Sequence, residues 1–412
     1  MGSLLGTPQR NTRPWRVAAA VLCAQGVCSV CAASEEPPTP AQVITAPAVP
    51  AAAPATGAST TDAQPAPGAA AHEFHGSIEL NNQYSADTEP LRTTLAVSYG
   101  NLFSKQDEVS ALYQLAPQDP KQVGVFIANY SFHPFPDGLQ PSIYFLDSST
   151  NVPTADTVGV LGKGQILGLR LSHTIGGGSG STQSLTLAMD YRHFRNTTSL
   201  DENSRTDTPV SYLNLALAYA GNWTSTVHEA GVNISLNFGP HGGANAADAS
   251  ADDDLHERAD YFYARAEGAV VTTLPEGLRL YLRLAGQYSG RSLIVDEDYS
   301  VAGIDGVRGY LEAEVLGDKA LKGTVQLQSP TWKRNAIPFA DAFLYFDDAV
   351  AELIAAPPGE PSRTYPRSFG FGADLVPWKG ITGSLVWARP LVTASSTHAG
   401  DSRLLFLLRA SF

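Results

Sequence analysis

Cysteine is nearly missing: the three in this 412-residue chain, Cys23, Cys28 and Cys31, all fall within its first 33 residues. A fold stapled by disulfides is thereby excluded for everything downstream. Positive charge is also short, with 27 Lys and Arg against 40 Asp and Glu, a formal net charge of −13 and a pI near 5.1. That balance has the wrong sign for nucleic acid, and no such partner is expected. Beyond Ala33 no apolar run approaches the roughly 18 residues that a spanning helix needs, which excludes a helical membrane protein. The nine histidines are scattered without a His-x-x-x-His pair, and the acidic run Asp248, Asp252, Asp253, Asp254 and Glu257 lacks the spacing of a calcium loop. Neither a metal nor any other cofactor is expected. The Gly-rich run Gly176–Ser181 joins two strand patterns with no helix behind it, so it is a turn and not a phosphate cradle. No recognisable Ser, His and Asp set marks a nucleophilic centre, and the chain reads as a non-enzyme.

What the chain does have begins with a leader. Residues 1–33 carry Arg10, Arg13 and Arg16, no acid, an apolar run from Val17, and small residues at Val30-Cys31-Ala32-Ala33. This is the pattern of a secretory signal peptide cleaved after Ala32 or Ala33. Residues 34–71 are more than half Ala and Pro, with Glu35, Glu36 and Asp62 as their only charges. Such a stretch cannot bury enough apolar surface to offset its ordering entropy, so it reads as a disordered periplasmic linker.

From Phe74 the hydrophobic period is two, clearest in Leu278-Arg279-Leu280-Tyr281-Leu282-Arg283-Leu284. One face is uniformly apolar and the other carries Arg and Tyr. A soluble sandwich alternates as well, so length and spacing have to decide. Sixteen strand candidates begin near residues 74, 91, 106, 121, 140, 164, 182, 210, 226, 259, 276, 320, 338, 367, 380 and 402. Many are long enough for the tilted strands of a membrane barrel, about 10 residues each, and an even count is what such barrels require. Connections after even strands are short, whereas those after odd strands include all the long ones: 148–163, 194–209, 239–258, 290–319 and 348–366. The predicted fold is all-β, a 16-stranded antiparallel transmembrane barrel over residues 72–412, with periplasmic turns, extracellular loops and a periplasmic N-terminus in the bacterial outer membrane. The last strand ends the chain on Phe412, with Leu404, Phe406, Leu408 and Ala410 on the same face. It resembles the terminal aromatic signal that the barrel assembly machinery reads.

The longest connection contains Val301-Ala-Gly-Ile-Asp-Gly306-Val307-Arg308-Gly309-Tyr310, and its glycines permit a tight tip from which an arginine projects. Val307, Arg308, Gly309 and Tyr310 resemble the loop tip of the haemolysin secretion/activation family, the two-partner secretion branch of the outer-membrane assembly and transport superfamily. Phe343-Leu344-Tyr345-Phe346-Asp347 resembles the aromatic-x-Asp segment of the same family, and alternation puts Phe343, Tyr345 and Asp347 on one face. Ser368-Phe-Gly-Phe-Gly372 and the Gly317-Asp318 pair fit the same branch. The resemblance implies that the long loop folds into the lumen, where Asp347 and Tyr345 partner Arg308. It further implies a transporter that moves an unfolded secreted exoprotein through the barrel, surrounded by outer-membrane lipids. Family members carry periplasmic polypeptide-binding (POTRA) domains ahead of the barrel, and here only the Ala/Pro linker is seen. A separate periplasmic partner is one way to supply that function. The alternative reading is a passive or gated porin that has lost secretion, with Arg170, Arg279 and Arg283 lining the lumen.

Overall fold

Because side chains alternate across a strand, a wall one strand thick can present lipid-compatible residues outward and polar residues inward. The computed structural model describes residues 74–412 except 87, 150–162, 179, 202–203, 241–259, 335–336 and 357–360. The leader and the Ala/Pro linker lie outside the described residues. Sixteen strands form the wall. They are β1 Phe74–Asn81, β2 Arg92–Gly100, β3 Glu108–Leu115, β4 Gly124–Ser131, β5 Leu139–Ser148, β6 Gly164–Gly178, β7 Ser181–Asp201 and β8 Ser204–Thr224. There follow β9 His228–Phe238, β10 Phe262–Thr273, β11 Arg279–Ser289, β12 Lys319–Gln328, β13 Ile337–Glu352, β14 Arg367–Trp378, β15 Ile381–Pro390 and β16 Arg403–Ser411. Each pairs antiparallel with its sequence neighbour, and β16 returns to β1 over Ser77↔Ser411 to Asn81↔Leu407. Closure removes every sheet edge, which a lipid environment demands of a β-structure.

The outer face is apolar along the strands. Leu282 and Leu284 of β11, Leu185, Leu187 and Met189 of β7, and Leu344 and Phe346 of β13 are all exposed. Their inward neighbours Tyr281, Asp190 and Tyr345 are buried. Phe74, Trp223, Trp332, Trp378 and Phe412 are exposed at the end that carries the even-numbered connections, forming an interfacial aromatic girdle. Those connections are short, as at 225–227 and 379–380, while 290–318 and 391–402 lie at the other end. One expected loop is corrected: β7 and β8 continue as a paired hairpin to Asp201 and Ser204 in place of a loop over 194–209. Those residues are mostly polar at both alternating positions, so no hydrophobic period marked them as strand.

Candidate functional site: the loop inside the barrel

Between β11 and β12, residues 290–318 fold into the lumen and supply much of its core. Leu293 and Ile294 pack with Tyr212, Tyr261 and Tyr263, and Val301, Val307 and Tyr310 pack against Ala320, Ala349 and Ala351. A two-residue ladder, Tyr299–Ser300 with Leu316–Gly317, begins the hairpin. It continues through Val301 N–H to Val315 O at 3.0 Å and Val307 N–H to Val301 O at 2.8 Å. Gly309 has φ +95°, and a Cβ there would lie 3.1 Å from Ala388 and Pro390, so the tip sits close against β15. Gly306 serves closeness and not chirality, since a Cβ would meet Val301 O at 2.2 Å.

From this tip the Arg308 guanidinium grips Asp347 of β13 in a bidentate fork. Nε donates to Oδ2 at 2.8 Å and Nη2 to Oδ1 at 2.9 Å, and the Arg308 amide adds a bond to Oδ2 at 3.1 Å. Thr324 Oγ1 donates to Asp347 Oδ1 at 2.9 Å, and Gln326 Oε1 accepts from Arg308 Nη1 at 3.0 Å. The guanidinium carbon lies 3.4 Å from the centre of the Tyr345 ring. Asp347 is 0% exposed and Arg308 is buried. An ion pair taken out of water holds only when its remaining polar valences are met, and here the neighbouring strands meet them. Alternation turns Tyr345 and Phe343 inward, and their cross-strand partners Gly370 and Gly372 leave room for the rings. A Cβ on Gly370 would lie 2.5 Å from Tyr345 Oη, and one on Gly372 would lie 2.4 Å from the Phe343 ring.

Tyr310 Oη donates to Val392 O at 2.6 Å, so the tip also holds the connection leading to β16. Three acids that the sequence did not single out for a role complete the fixing. Glu314 accepts from the amides of Ser396 and Thr397, both at 2.7 Å, and from Thr397 Oγ1 at 2.5 Å. Asp318 accepts from the amides of Leu293 at 2.5 Å and Ile354 at 2.7 Å, and its burial raises its carboxyl above the ordinary range against those two bonds. Glu312 accepts from the Ile304 amide at 2.8 Å, yet burial pushes it up to about 8, with Asp305 adding to the rise. An acid placed to cap loop amides carries no spacing signal, so none of the three could be given this role from the sequence.

The three arginines expected to line the lumen are each paired with a carboxylate. Arg170 meets Asp190 at 2.5 Å, Arg279 meets Asp341 at 3.4 Å and Arg283 meets Glu267 at 2.6 Å. At the barrel's seam Phe412 exchanges backbone hydrogen bonds with Gly76, both 2.8 Å, while its side chain faces outward beside Phe74. No group of acids, histidines and cysteines suited to a metal occurs among the described residues.

The family model of the haemolysin secretion/activation protein ShlB/FhaC/HecB matches residues 69–340, a span that holds Arg308 and ends just before Asp347. No curated protein matches the chain. Among solved structures, the chain is similar to CdiB from Acinetobacter baumannii, with a TM-score of 0.61 and 15% identity, covering 82% of this chain and 60% of that one. It is similar to CdiB from Escherichia coli, with a TM-score of 0.62 and 14% identity over 82% and 63% of the two chains. BamA from Haemophilus ducreyi lacking POTRA domains 1-3 gives a TM-score of 0.59 and 12% identity over 83% and 70%. The chain thus spans less than two thirds of either CdiB structure. At these identities the likeness establishes the fold.

Proposed function

Because this chain belongs to the haemolysin secretion/activation family of outer-membrane two-partner secretion proteins, we propose that it passes an unfolded exoprotein through its barrel. The observation that carries this reading is the lumen-filling loop fixed by Arg308 on Asp347, a polar contact that can be exchanged for others when the loop moves. The lumen wall is correspondingly polar, with Asn129, Asn214, Asn233, Gln326 and Gln328 facing in. An extended chain would find hydrogen-bonding partners there without an adhesive apolar surface. In this reading Val307, Arg308, Gly309 and Tyr310 form the tip that closes the passage, and Asp347 with Tyr345 is its seat on the wall.

The end with short connections and the aromatic girdle faces the periplasm, so the chain enters from that side through its linker. Phe412 closes the strand that the assembly machinery would read, and the apolar outer face meets outer-membrane lipid. The exoprotein and a periplasmic partner that delivers it are the two protein partners of this scheme. The porin reading is the weaker one, since Arg170, Arg279 and Arg283, the lining cations it relies on, are each paired with a carboxylate. The test compares secreted and surface proteins of a wild-type strain, a deletion strain, and the deletion complemented with Arg308→Ala. Loss of one or a few large exoproteins, retained in the periplasm, is expected on deletion. An unchanged secretome with lost small-solute uptake would replace transport with the porin reading.

A further inference from the structure

The loop meets the wall a second time, on strands other than those that hold Arg308. Its 3₁₀ turn, Val295–Glu297, drives Glu297 into the wall formed by β7, β8 and β10, and this carboxylate is 0% exposed. Tyr212 Oη donates to Oε1 and Tyr263 Oη to Oε2, both at 2.6 Å, and Arg192 Nη1 pairs with Oε1. The backbone of the same residue is held too, its carbonyl accepting from Arg265 Nη2 and Gln287 Nε2 at 3.1 Å each. Arg192 is itself aimed by Asp190 at 3.1 Å, and Asp190 by Arg170 at 2.5 Å. Five donors from four strands therefore converge on one loop residue.

The two contacts share no wall strand. The Glu297 site draws on β7, β8, β10 and β11, whereas Arg308 is held by β12 and β13, with Tyr310 reaching the β15–β16 connection. Their polarity is reversed, loop carboxylate on wall guanidinium at one and loop guanidinium on wall carboxylate at the other. A loop slid to the wrong wall would set like charge against like, so the reversal fixes its placement as well as its attachment.

We propose that Glu297 is a second positioning residue of the lumen loop, anchoring its neck (residues 293–300) independently of the tip (residues 301–312). The loop then leaves the lumen in two separable steps. This inference rests on reading the loop as a plug, but its test does not depend on export. Hydrogen exchange is measured by mass spectrometry on the full chain in detergent or nanodiscs, for peptides covering the neck and the tip separately. Glu297→Gln raises neck exchange by about tenfold or more and leaves the tip within about twofold of wild type, because a lost charged anchor opens locally. Arg308→Ala does the reverse, and channel conductance rises fully only in the double variant. If Glu297→Gln does not assemble, the Tyr212→Phe/Tyr263→Phe pair keeps both rings and removes only the hydroxyl donors, with the same expectation for the neck. A merely structural loss would lower thermal stability and raise exchange across the wall strands without separating neck from tip. Deprotection of neck and tip together by Arg308→Ala, or a neck unmoved by both Glu297 and tyrosine variants, would overturn the proposal. A chain that exports nothing yet shows segmental exchange would refute transport and leave the two anchors standing.

Discussion

The two faces of a single strand are built on different principles. On β13, Leu344 is 62% exposed and is one of many interchangeable apolar residues on the outside. On the same strand Tyr345 and Asp347 point inward and both hold Arg308, with Thr324 also donating to Asp347. The outer face needs only hydrophobicity, because lipid makes no specific contacts. The inner face needs geometry, because buried charge is tolerated only when it is paired and hydrogen-bonded. The wall therefore carries its general information outside and its specific information inside.

The most damaging way to break this contrast is to remove an inward partner. Asp347→Ala leaves Arg308 buried without its counter-charge, and loss of one member of such a pair costs about 3–5 kcal/mol. Relief comes from release of the tip, so protease sensitivity within 301–312 rises while the barrel strands stay protected. An unchanged digestion pattern would show that the contact does not hold the loop. On the outer face the chemistry must change sign to matter: Leu344→Arg, near the middle of β13, costs about 2–4 kcal/mol at the bilayer midplane. Leu344→Val should be nearly silent. Urea unfolding in lipid vesicles ranks the three, and an outer-face arginine as harmless as valine would contradict the membrane placement.

Solution pH gives a finer test of the inner face. Glu312 sits with its carboxyl raised to about 8, surrounded by Asp305, Lys322, Arg403 and Arg92. The folded loop therefore holds a proton that the free loop releases at ordinary carboxyl pKa, about 4.3. The stabilisation from that proton is complete below the free value and is lost as pH rises through about 8. Exchange protection of the 301–312 segment should fall across that window, and Glu312→Gln should flatten the dependence. A profile equally steep in both proteins would assign it to another group.

Much of this architecture was legible in the sequence because lipid imposes a strict rule. Period-two alternation, sixteen segments and the short connections after even strands all follow from it, whereas the family was legible only through the resemblance of Val307-Arg308-Gly309-Tyr310 and of the segment ending in Asp347. Alternation alone placed Phe343, Tyr345 and Asp347 on one face. What failed to show were features whose cause is local geometry and not periodicity. The β7–β8 hairpin runs beyond the apolar stretch, where both of its faces are polar in sequence. Glu297 and Glu314 are single acids in a loop, and only folding reveals that each meets donors far away in the chain. Nothing in the sequence of β7 marks Arg192 for a partner 105 residues on.

If the inner face holds a loop that closes the lumen, conductance across a planar bilayer shows it most directly. Wild-type protein should show little steady current. A variant in which residues 291–317 are replaced by a short Gly/Ser turn should form a large, continuously open pore. Equal steady conductance in the two proteins would contradict the account, since the loop would then not be what closes the barrel.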